Sequence, residues 1–366
     1  MTKIKEVIQW LESSVPCALQ EDYDNCGLIT GNANQEITGI NICLDVTEKV
    51  IEESIASDCN LIISHHPVVF RGLKKINGNH YVERILIQAI KNDIAIYALH
   101  TNLDNVHYGV NKKIADIIGI TDTRILAPKS GLLKKMVTYV PKEQADTVLK
   151  ALYAAGAGNI GNYSECSFQL DGVGTFKPNE QANPTLGSAN MLEYVQEKRV
   201  EVIFPSYLQR NVTTALYNAH PYEEPAYDII PLSNEHALVG AGMIGTLTSP
   251  MSETEFLQLL KTRFNLSCIR HTKLLNKPVV HVAVCGGSGS FLTQQAIAER
   301  ADVFVSSDFK YHDFFEADEK ILIADIGHYE SEAFTKELIY EIVIKKFTNI
   351  ALRFSKVNTN PISYFN

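Results

Sequence analysis

The chain of 366 residues is 45% apolar and 20% charged, which is the composition of a soluble globular protein with two or more domains. Its net charge of −9, without a basic stripe, argues against a nucleic-acid partner. There is no apolar run of about 18 residues to span a membrane, and the start lacks the apolar region of a signal peptide, so we expect a cytoplasmic protein.

The first part of the chain alternates strand and helix patterns. Short apolar runs predict strands, and a period of 3.6 residues predicts helices, one of them capped by Thr47. The predicted strands are 38–44, 61–63 and 94–98, and the predicted helices are 47–57, 81–92 and 109–118. Repeated β-α-β units imply an α/β fold with a mostly parallel sheet covered by helices.

The pattern changes near Pro128 and predicts an inserted domain over residues 128–245. Its predicted strands are 136–140, 165–170, 199–204 and 226–231, its helices are 142–155 and 206–219, and a loop rich in glycine and asparagine covers 171–190. The order β-α-β-β-α-β is the ferredoxin-like α+β pattern. An insertion of this size can carry a core of its own.

The first pattern resumes after Gly240-Ala241-Gly242. Helices are predicted at 253–264 and 331–346, and strands at 279–285, 303–306, 321–324 and 350–354. The two outer portions, 1–127 and 246–366, are therefore expected to build one α/β domain, or two matching halves.

Polar residues follow three of the predicted strands. They are His65 and His66 after strand 61–63, His100 and Asp104 after strand 94–98, and His328 and Glu332 after strand 321–324. Ligands of open α/β folds bind beyond the carboxyl ends of the strands. A lone histidine is more often a hydrogen-bonded core residue, but the agreement of three strand ends favours one shared metal site.

The spacing of these residues fits two metal ions. Adjacent strand residues point apart, so His65 and His66 would serve different ions, which Asp104 could bridge. His328 and Glu332 lie four residues apart at a helix start and share a face. Such a set suits a dinuclear centre with ions roughly 3.5–4 Å apart. Zinc is favoured, with iron, manganese or nickel as alternatives. Because ligand imidazoles must be neutral, metal affinity is expected to fall below about pH 6.5.

Two further motifs have more than one interpretation. His100 and His312 are candidates for a general acid or base, although His100 could also be a ligand or the partner of one, and His312 could cap a helix. The segment Gly286-Gly287-Ser288-Gly289-Ser290 could hold a phosphate through backbone N–H groups. A tight turn between a strand and a helix is the favoured interpretation.

At these residues the chain resembles the Nif-three family, also called GTP cyclohydrolase I type 2 homologues. The similar segments are Asp24-Asn25-Cys26-Gly27-Leu28, Leu44-Asp45-Val46-Thr47, Ser64-His65-His66-Pro67, His100-Thr101-Asn102-Leu103-Asp104, Gly286-Gly287-Ser288-Gly289-Ser290 and Gly327-His328-Tyr329-Glu330-Ser331-Glu332. The resemblance spans nearly the whole chain. It implies a two-lobed α/β domain with a dimetal site in its cleft, and a ring-shaped homohexamer. The ligands that it implies are His65, His66, Asp104, His328 and Glu332.

The predicted insertion looks like the PII-like and CutA-like domain of longer bacterial members of that family. The segment His220-Pro221-Tyr222-Glu223-Glu224-Pro225-Ala226-Tyr227-Asp228 carries this likeness. Its residues could bind a metal or an anion, or could simply tie a helix to a strand.

Two classes of function follow from these observations. The first is a metal-dependent hydrolase, in which two metals lower the pKa of a bound water and polarise the substrate. Its substrate would be a nucleotide, as the family name implies, or a phosphoester. The second is a metal-binding, metal-delivery or regulatory protein without turnover. Metal-dependent turnover would favour the first class, and labile metal without nucleotide affinity the second.

Overall fold

The chain forms two compact units in a computed structural model that describes residues 2–365. The outer parts of the chain, up to Ala127 and from Leu238 onward, build the first unit, and Pro128–Ala237 builds the second. The second unit therefore ends before residue 245, the predicted boundary. The reason is that residues from Met243 onward already pair with a strand of the first unit.

The strands, numbered in chain order, include six that are longer than their predicted ranges. They are β1 Gly27–Thr30, β2 Ile40–Cys43, β3 Leu61–Ser64, β4 Ala95–Ala98, β5 Ile120–Ser130, β6 Leu133–Pro141, β7 Phe168–Phe176, β8 Glu193–Pro205, β9 Tyr227–Leu232, β10 Glu235–Ser252, β11 Arg270–His271, β12 Pro278–Ser288, β13 Val303–Ser307, β14 Leu322–Asp325 and β15 Leu352–Phe354. The predicted loop 171–190 is correspondingly shorter, because β7 continues to Phe176.

Every predicted helix is present, although the predicted helix 331–346 is divided in two, and the structure has further helices that were not predicted. The helices are α1 Ile4–Ser14, α2 Glu48–Ala56, α3 Tyr81–Lys91, α4 Thr101–Asp104, α5 Val110–Ile118, α6 Ala145–Ala154, α7 Gln209–Ala219, α8 Glu253–Arg263, α9 Thr293–Ala298, α10 His328–Glu332 and α11 Thr335–Ile344. Thr47 caps α2 as predicted, accepting a hydrogen bond from the Val50 N–H. Within residues 2–365, no helix has the length and apolar character needed to cross a membrane.

The first unit contains two sheets. One has the order β1-β4-β3-β2-β15, and its strands from β4 to β15 are parallel, whereas β1 is antiparallel to β4. All residues of β2, β3 and β4 are buried, which explains why they read as continuous apolar runs. The other sheet has the order β11-β14-β13-β12-β10-β5, and only β12, β13 and β14 are mutually parallel.

Strands β5 and β10 were not predicted. Three glycines interrupt β10, at Gly240, Gly242 and Gly245, and Pro128 interrupts β5. Glycine and proline are depleted in strands, so the local signal is weak. The strands form because β10 pairs antiparallel with the buried strand β12, a long-range contact that no local pattern reveals.

The second unit is a four-stranded antiparallel sheet of order β7-β8-β6-β9 with two helices. Its elements follow the chain in the predicted order β-α-β-β-α-β. The helices pack on one face of the sheet, where Val148 and Leu152 of α6 and Leu216 of α7 share a core with Val200 and Val202 of β8.

Candidate metal centre

The carboxyl ends of parallel strands from both sheets of the first unit meet around one cavity of about 600 Å³. The first sheet contributes His66 and His100, and the second sheet contributes Asp308 and His328. Parallel strands direct the residues that follow them to one edge of their sheet. Six of the seven predicted site residues therefore lie together, and the seventh, His312, does not.

Each of the four histidines at this place has its Nδ1 fixed by an acceptor. These contacts are His65 to the Leu99 carbonyl oxygen at 2.8 Å, His66 to Asp45 Oδ1 at 2.7 Å, His100 to Asp24 Oδ1 at 2.7 Å and His328 to Asp308 Oδ2 at 2.7 Å. Carbonyl and carboxylate oxygens only accept, so each Nδ1 carries the hydrogen. This leaves Nε2 of every ring as the nitrogen that can bind a metal, which is how metal-binding histidines are usually oriented.

Glu332 lies at the centre of the cluster. Its Oε2 is 3.0 Å from His66 Nε2 and 3.1 Å from His328 Nε2, and its Oε1 is 3.7 Å from His65 Nε2. The two nitrogens of His66 and His328 are themselves only 3.3 Å apart. Three histidines thus direct their metal-binding nitrogens at one buried carboxylate.

Two buried atoms of the cluster have no hydrogen-bond partner among residues 2–365. They are His65 Nε2 and Asp104 Oδ1, which lie 3.7 Å apart. A buried polar atom without a partner costs roughly 1–3 kcal/mol, and a cation between these two atoms would satisfy both. Imidazole nitrogen with carboxylate oxygen is a donor set that suits zinc and similar divalent ions. The residues present therefore fit a metal.

Three overlapping groups in this cluster could hold a metal ion, because the donor atoms within each group lie within 4.8 Å of one another. The groups are His65, His66 and His100, then His66, His328 and Glu332, and then His65, Asp104 and Glu332. Together they contain all five ligands that the sequence suggested, and they add His100.

Nearby carboxylates strongly change the protonation of two histidines. Burial disfavours the charged form of His66, but Asp45 and Glu332 outweigh burial and raise its pKa to about 9. Burial also opposes charge on His328, where Asp308 and Glu332 raise the pKa to about 11. Without a metal, both imidazoles therefore hold a proton at neutral pH, and a metal must displace those protons to bind.

The remaining groups respond mainly to burial and to each other. Burial lowers the pKa of His65 to about 4, despite the attraction of Glu332, so this ring is neutral at pH 7. Burial and the charge of Glu332 raise the pKa of Asp104 well above its usual range. Burial opposes ionisation of Glu332 too, but His65 and the other histidines outweigh it and keep its pKa well below the usual range. Glu332 is therefore ionised without a metal, and a bound cation would allow Asp104 to ionise as well.

Comparisons with known proteins agree on one family. The family model Duf34/NIF3 (NGG1p interacting factor 3) matches residues 2–361. The chain is 38% identical to the GTP cyclohydrolase 1 type 2 homolog of Bacillus subtilis (strain 168) over 366 residues, which cover 98% of each chain. The chain belongs to the NIF3 family.

Solved structures of related proteins share the whole fold. A Bacillus cereus protein related to NIF3 superposes with a TM-score of 0.88 at 39% identity, covering 100% of this chain and 99% of that one. Staphylococcus aureus protein SA1388 has a TM-score of 0.79 at 29% identity, with the same coverage. The resemblance inferred from the motifs is therefore confirmed over the full length.

His312 does not join the cluster in this NIF3-family protein. Its side chain is exposed, it directly precedes a short 3₁₀ helix, and its ring contacts Tyr311 and Phe315. It is not one of the described residues that line the cavity. His100 does line the cavity, and its ring centroid lies 5.3 Å from those of both His65 and His66.

The sequence did not assign the carboxylates that orient the histidines to this role, although Asp22 and Asp24 could be expected either to form a turn or to reach the site. Asp45 and Asp308 follow β2 and β13, so the strand-end rule that found the ligands would also have found them. Asp24 instead precedes β1. It reaches the site because β1 is antiparallel to β4, which places Gly27 opposite Ala98 at the end of β4. That register is not visible in the linear sequence.

The glycine-rich segment connects β12 to a 3₁₀ helix and α9, as the favoured interpretation expects, and two of its glycines also serve the cluster. Gly286 and Gly287 lie within β12, and their N–H groups donate to Asn111 Oδ1 and Ser331 Oγ. They are therefore not available to a phosphate. Gly287 has φ +60°, and a Cβ at this position would lie 2.4 Å from Glu332 Oε1. Glycine is needed here because Glu332 approaches the backbone closely.

Gly287→Ala is therefore expected to weaken metal binding by roughly 100-fold, because the new methyl group displaces Glu332. Chelator competition monitors the affinity. The matched control is Gly119→Ala, which has φ +91° but nothing within 4 Å of the added Cβ. Both variants should lose stability from backbone strain, about 1–2 kcal/mol. Equal loss of metal affinity in both would contradict the close-approach role of Gly287.

The C-terminal segment forms a hydrogen bond to Asp45, the carboxylate that orients His66. Thr359 Oγ1 donates to Asp45 Oδ2 at 2.7 Å, and Asp45 in turn holds His66. Asn360, Pro361 and Ile362 line the cavity beyond it. Residues 359–362 therefore help to orient His66 and form part of the cavity wall.

Thr359→Val should weaken metal binding by about 10-fold, since partners of ligand groups typically contribute 10- to 100-fold. Thr359→Ser keeps the hydroxyl and should retain the affinity. Calorimetric titration of metal into both variants provides the measurement. A valine variant that binds as tightly as the unmodified protein would show that this hydrogen bond does not support the site.

Proposed function

We propose that this protein is a metal-dependent hydrolase with a dinuclear divalent-metal centre, acting on a nucleotide or a related small molecule. The metal ligands in this proposal are His65, His66, Asp104, His328 and Glu332. Zinc is the proposed metal, with iron, manganese or nickel as alternatives. The observation that carries the proposal is the convergence of Nδ1-anchored imidazoles on Glu332, beside the unpartnered atoms of His65 and Asp104.

Two divalent ions bound here would supply Lewis acidity. The protein itself supplies a group for proton transfer, the dyad of Asp24 and His100. Burial opposes the charge of Asp24, but hydrogen bonds from His100 and Thr101 outweigh it and hold the pKa of Asp24 far below its usual range. Asp24 is therefore a fixed anion that orients the His100 ring, and Nε2 of His100 can take or give a proton.

The cavity suits a small planar molecule. Its volume of about 600 Å³ lies within the usual range for ligand pockets, roughly 300–1,000 Å³. Tyr23, Phe70 and Phe291 line it and remain largely exposed, and the rings of Tyr23 and Phe70 lie 6.2 Å apart. Exposed rings beside a metal site can stack on a heteroaromatic ring, which supports a nucleotide as substrate. The name of the Bacillus subtilis relative, GTP cyclohydrolase 1 type 2 homolog, makes GTP the first nucleotide to test.

Two further properties are proposed from the family resemblance. The second unit is proposed to be PII-like or CutA-like, in line with its β-α-β-β-α-β order. The assembly is proposed to be a homohexamer, for which light scattering at micromolar concentration is the test. A monomeric mass would reject the proposed hexamer.

The test of function combines metal analysis with turnover. Protein purified without added metal should contain about two divalent ions per chain, and the metal-loaded form should hydrolyse a member of a purine nucleotide panel that begins with GTP. Asp104→Ala should lose metal and turnover while keeping its circular dichroism spectrum. Asp116→Ala, a surface change on α5, should lose neither.

The outcomes separate the two classes of function. Full metal content without turnover on any nucleotide or phosphoester would reject the hydrolase and support a metal-handling or regulatory role. An Asp104→Ala protein that unfolds while its metal content is unchanged would show that Asp104 is structural.

A further inference from the structure

A second cavity, of about 560 Å³, lies within the second unit. It is on the sheet face opposite α6 and α7. Val200 and Val202 of β8 face the helices. Successive side chains of a strand point to opposite faces, and Glu197 is an odd number of positions from both valines, so it points to the other face. Glu197 lines the cavity together with Gly174 and Phe176 of β7. This face of the sheet is therefore covered by loops instead of helices.

Two loops that the sequence left without a role form the cover. One is the segment after β7, and the other begins at His220, after α7. They are tied together because Thr185 Oγ1 donates to the Pro221 carbonyl at 2.6 Å and the Asn183 N–H donates to Glu223 Oε1 at 3.0 Å. The two loops thus enclose a defined space.

His220 itself is not available to a metal. Its Nε2 donates to the Tyr139 carbonyl at 2.9 Å, and its Nδ1 accepts from the Tyr222 N–H at 3.1 Å. Both ring nitrogens are therefore used to fix the loop. The consequence is that Tyr222 is held over the cavity, where its hydroxyl donates to Glu197 Oε1 at 2.9 Å.

The carboxylate of Glu197 is buried in the wall of this cavity. It is only 8% exposed, and across residues 2–365 no lysine, arginine or histidine forms an ion pair with it. Tyr222 satisfies one carboxylate oxygen, and within the same residues no donor reaches the other, Oε2. A buried carboxylate is costly unless it is paired. Gly174 makes space for it, since a Cβ there would lie 2.0 Å from Oε2.

The rest of the lining favours a positive ligand. The rings of Phe176 and Tyr222 stand edge to face with centroids 5.6 Å apart, and aromatic faces attract cations. Glu223 and Glu224 add negative charge at the cavity, against the single positive charge of Lys177. An anion would meet three carboxylates, whereas a cation would complete the pairing of Glu197.

We propose that this cavity binds a small organic cation, with its ammonium group between the Glu197 carboxylate and the rings of Phe176 and Tyr222. The site is separate from the metal centre and does not depend on the proposed hydrolase activity. The rings favour an alkylated ammonium group, because methyl groups contact aromatic faces while the charge is attracted by them.

Choline is the probe, and 3,3-dimethylbutan-1-ol, which has the same shape without the charge, is its matched control. Calorimetric titration of the full-length protein should give saturable binding of choline at millimolar concentrations and none of the alcohol. Glu197→Gln keeps the shape of the side chain and should weaken choline binding at least tenfold. Tyr222→Ala should also weaken it about tenfold, and Tyr222→Phe, which keeps the ring, should weaken it less.

The far-ultraviolet circular dichroism spectrum of each variant should equal that of the unmodified protein, which controls for folding. Three results would overturn the proposal. They are equal binding of choline and the alcohol, unchanged choline affinity in the Glu197→Gln protein, and no saturable binding of choline to the unmodified protein.

Discussion

Glu332→Gln is expected to abolish metal binding while the protein remains folded. Glu332 is the carboxylate that three histidines share, at 3.0 Å from His66, 3.1 Å from His328 and 3.7 Å from His65. An amide has nearly the same shape but no charge, and its nitrogen cannot act as a ligand. The loss of affinity should exceed the 10- to 100-fold that is typical for partners of ligands. Metal content after dialysis against a weak chelator measures it.

The matched control is Glu337→Gln, an exposed glutamate on the next helix, α11. Its metal content should equal that of the unmodified protein, and both variants should have the same far-ultraviolet circular dichroism. If the Glu332→Gln protein retained both metals, then Glu332 would not be a ligand, and the proposed centre would be wrong.

Metal binding is expected to release at least about two protons per chain at neutral pH, one from each of His66 and His328. The pKa of His66 is raised to about 9 and that of His328 to about 11, so the metal-free protein holds both protons. Each displaced proton makes the affinity rise about tenfold per pH unit. The affinity should therefore rise roughly 100-fold per unit up to about pH 9. If both histidines had their ordinary pKa, the metal affinity would instead weaken only below about pH 6.5.

The stability of the metal-free protein should fall as pH rises, whereas the metal affinity rises. A histidine whose pKa is raised by folding stabilises the protein fully below its unfolded pKa, about 6.5, and this stabilisation is lost as pH rises through the folded value. The melting temperature of metal-free protein should thus fall between about pH 6.5 and pH 9. The stabilisation by added metal should grow over the same range.

Calorimetry in buffers of different ionisation enthalpy counts the released protons directly. The Asp308→Asn protein should release fewer protons at neutral pH, because Asp308 raises the pKa of His328. Release of no protons at pH 7, or a metal affinity independent of pH below 9, would show that the histidines are already neutral in the metal-free protein.

Features that depend on residues close together in the sequence could be predicted, and features that depend on long-range contacts could not. Buried strands such as β3 and β4 are continuous apolar runs, so both the strands and the polar residues that follow them could be found. The antiparallel strand β10 could not, because its glycines hide it and only its partner β12 stabilises it. The boundary of the second unit was misplaced for the same reason.

The site shows the same division. The clustering of the proposed ligands could be predicted because a single rule, polar residues after parallel strands, applies to each of them. The shifts in histidine pKa could not, since they depend on pairings such as His66 with Asp45 that are set by three-dimensional packing. The role of Gly287 was missed because close approach to Glu332 exists only in the folded chain.

The participation of both chain ends in the first unit has a consequence for biosynthesis. Strand β15, near the C-terminus, pairs with β2, and His328 and Glu332 are translated long after His65 and His66. A nascent chain translated only as far as β14 therefore lacks two of the proposed ligands and cannot complete the cluster. Until β15 is translated, the edge of β2 lacks its partner, and such edges can recruit other chains. A chain that ends before β15 would therefore keep β2 as an exposed edge, open to pairing with the strands of other chains.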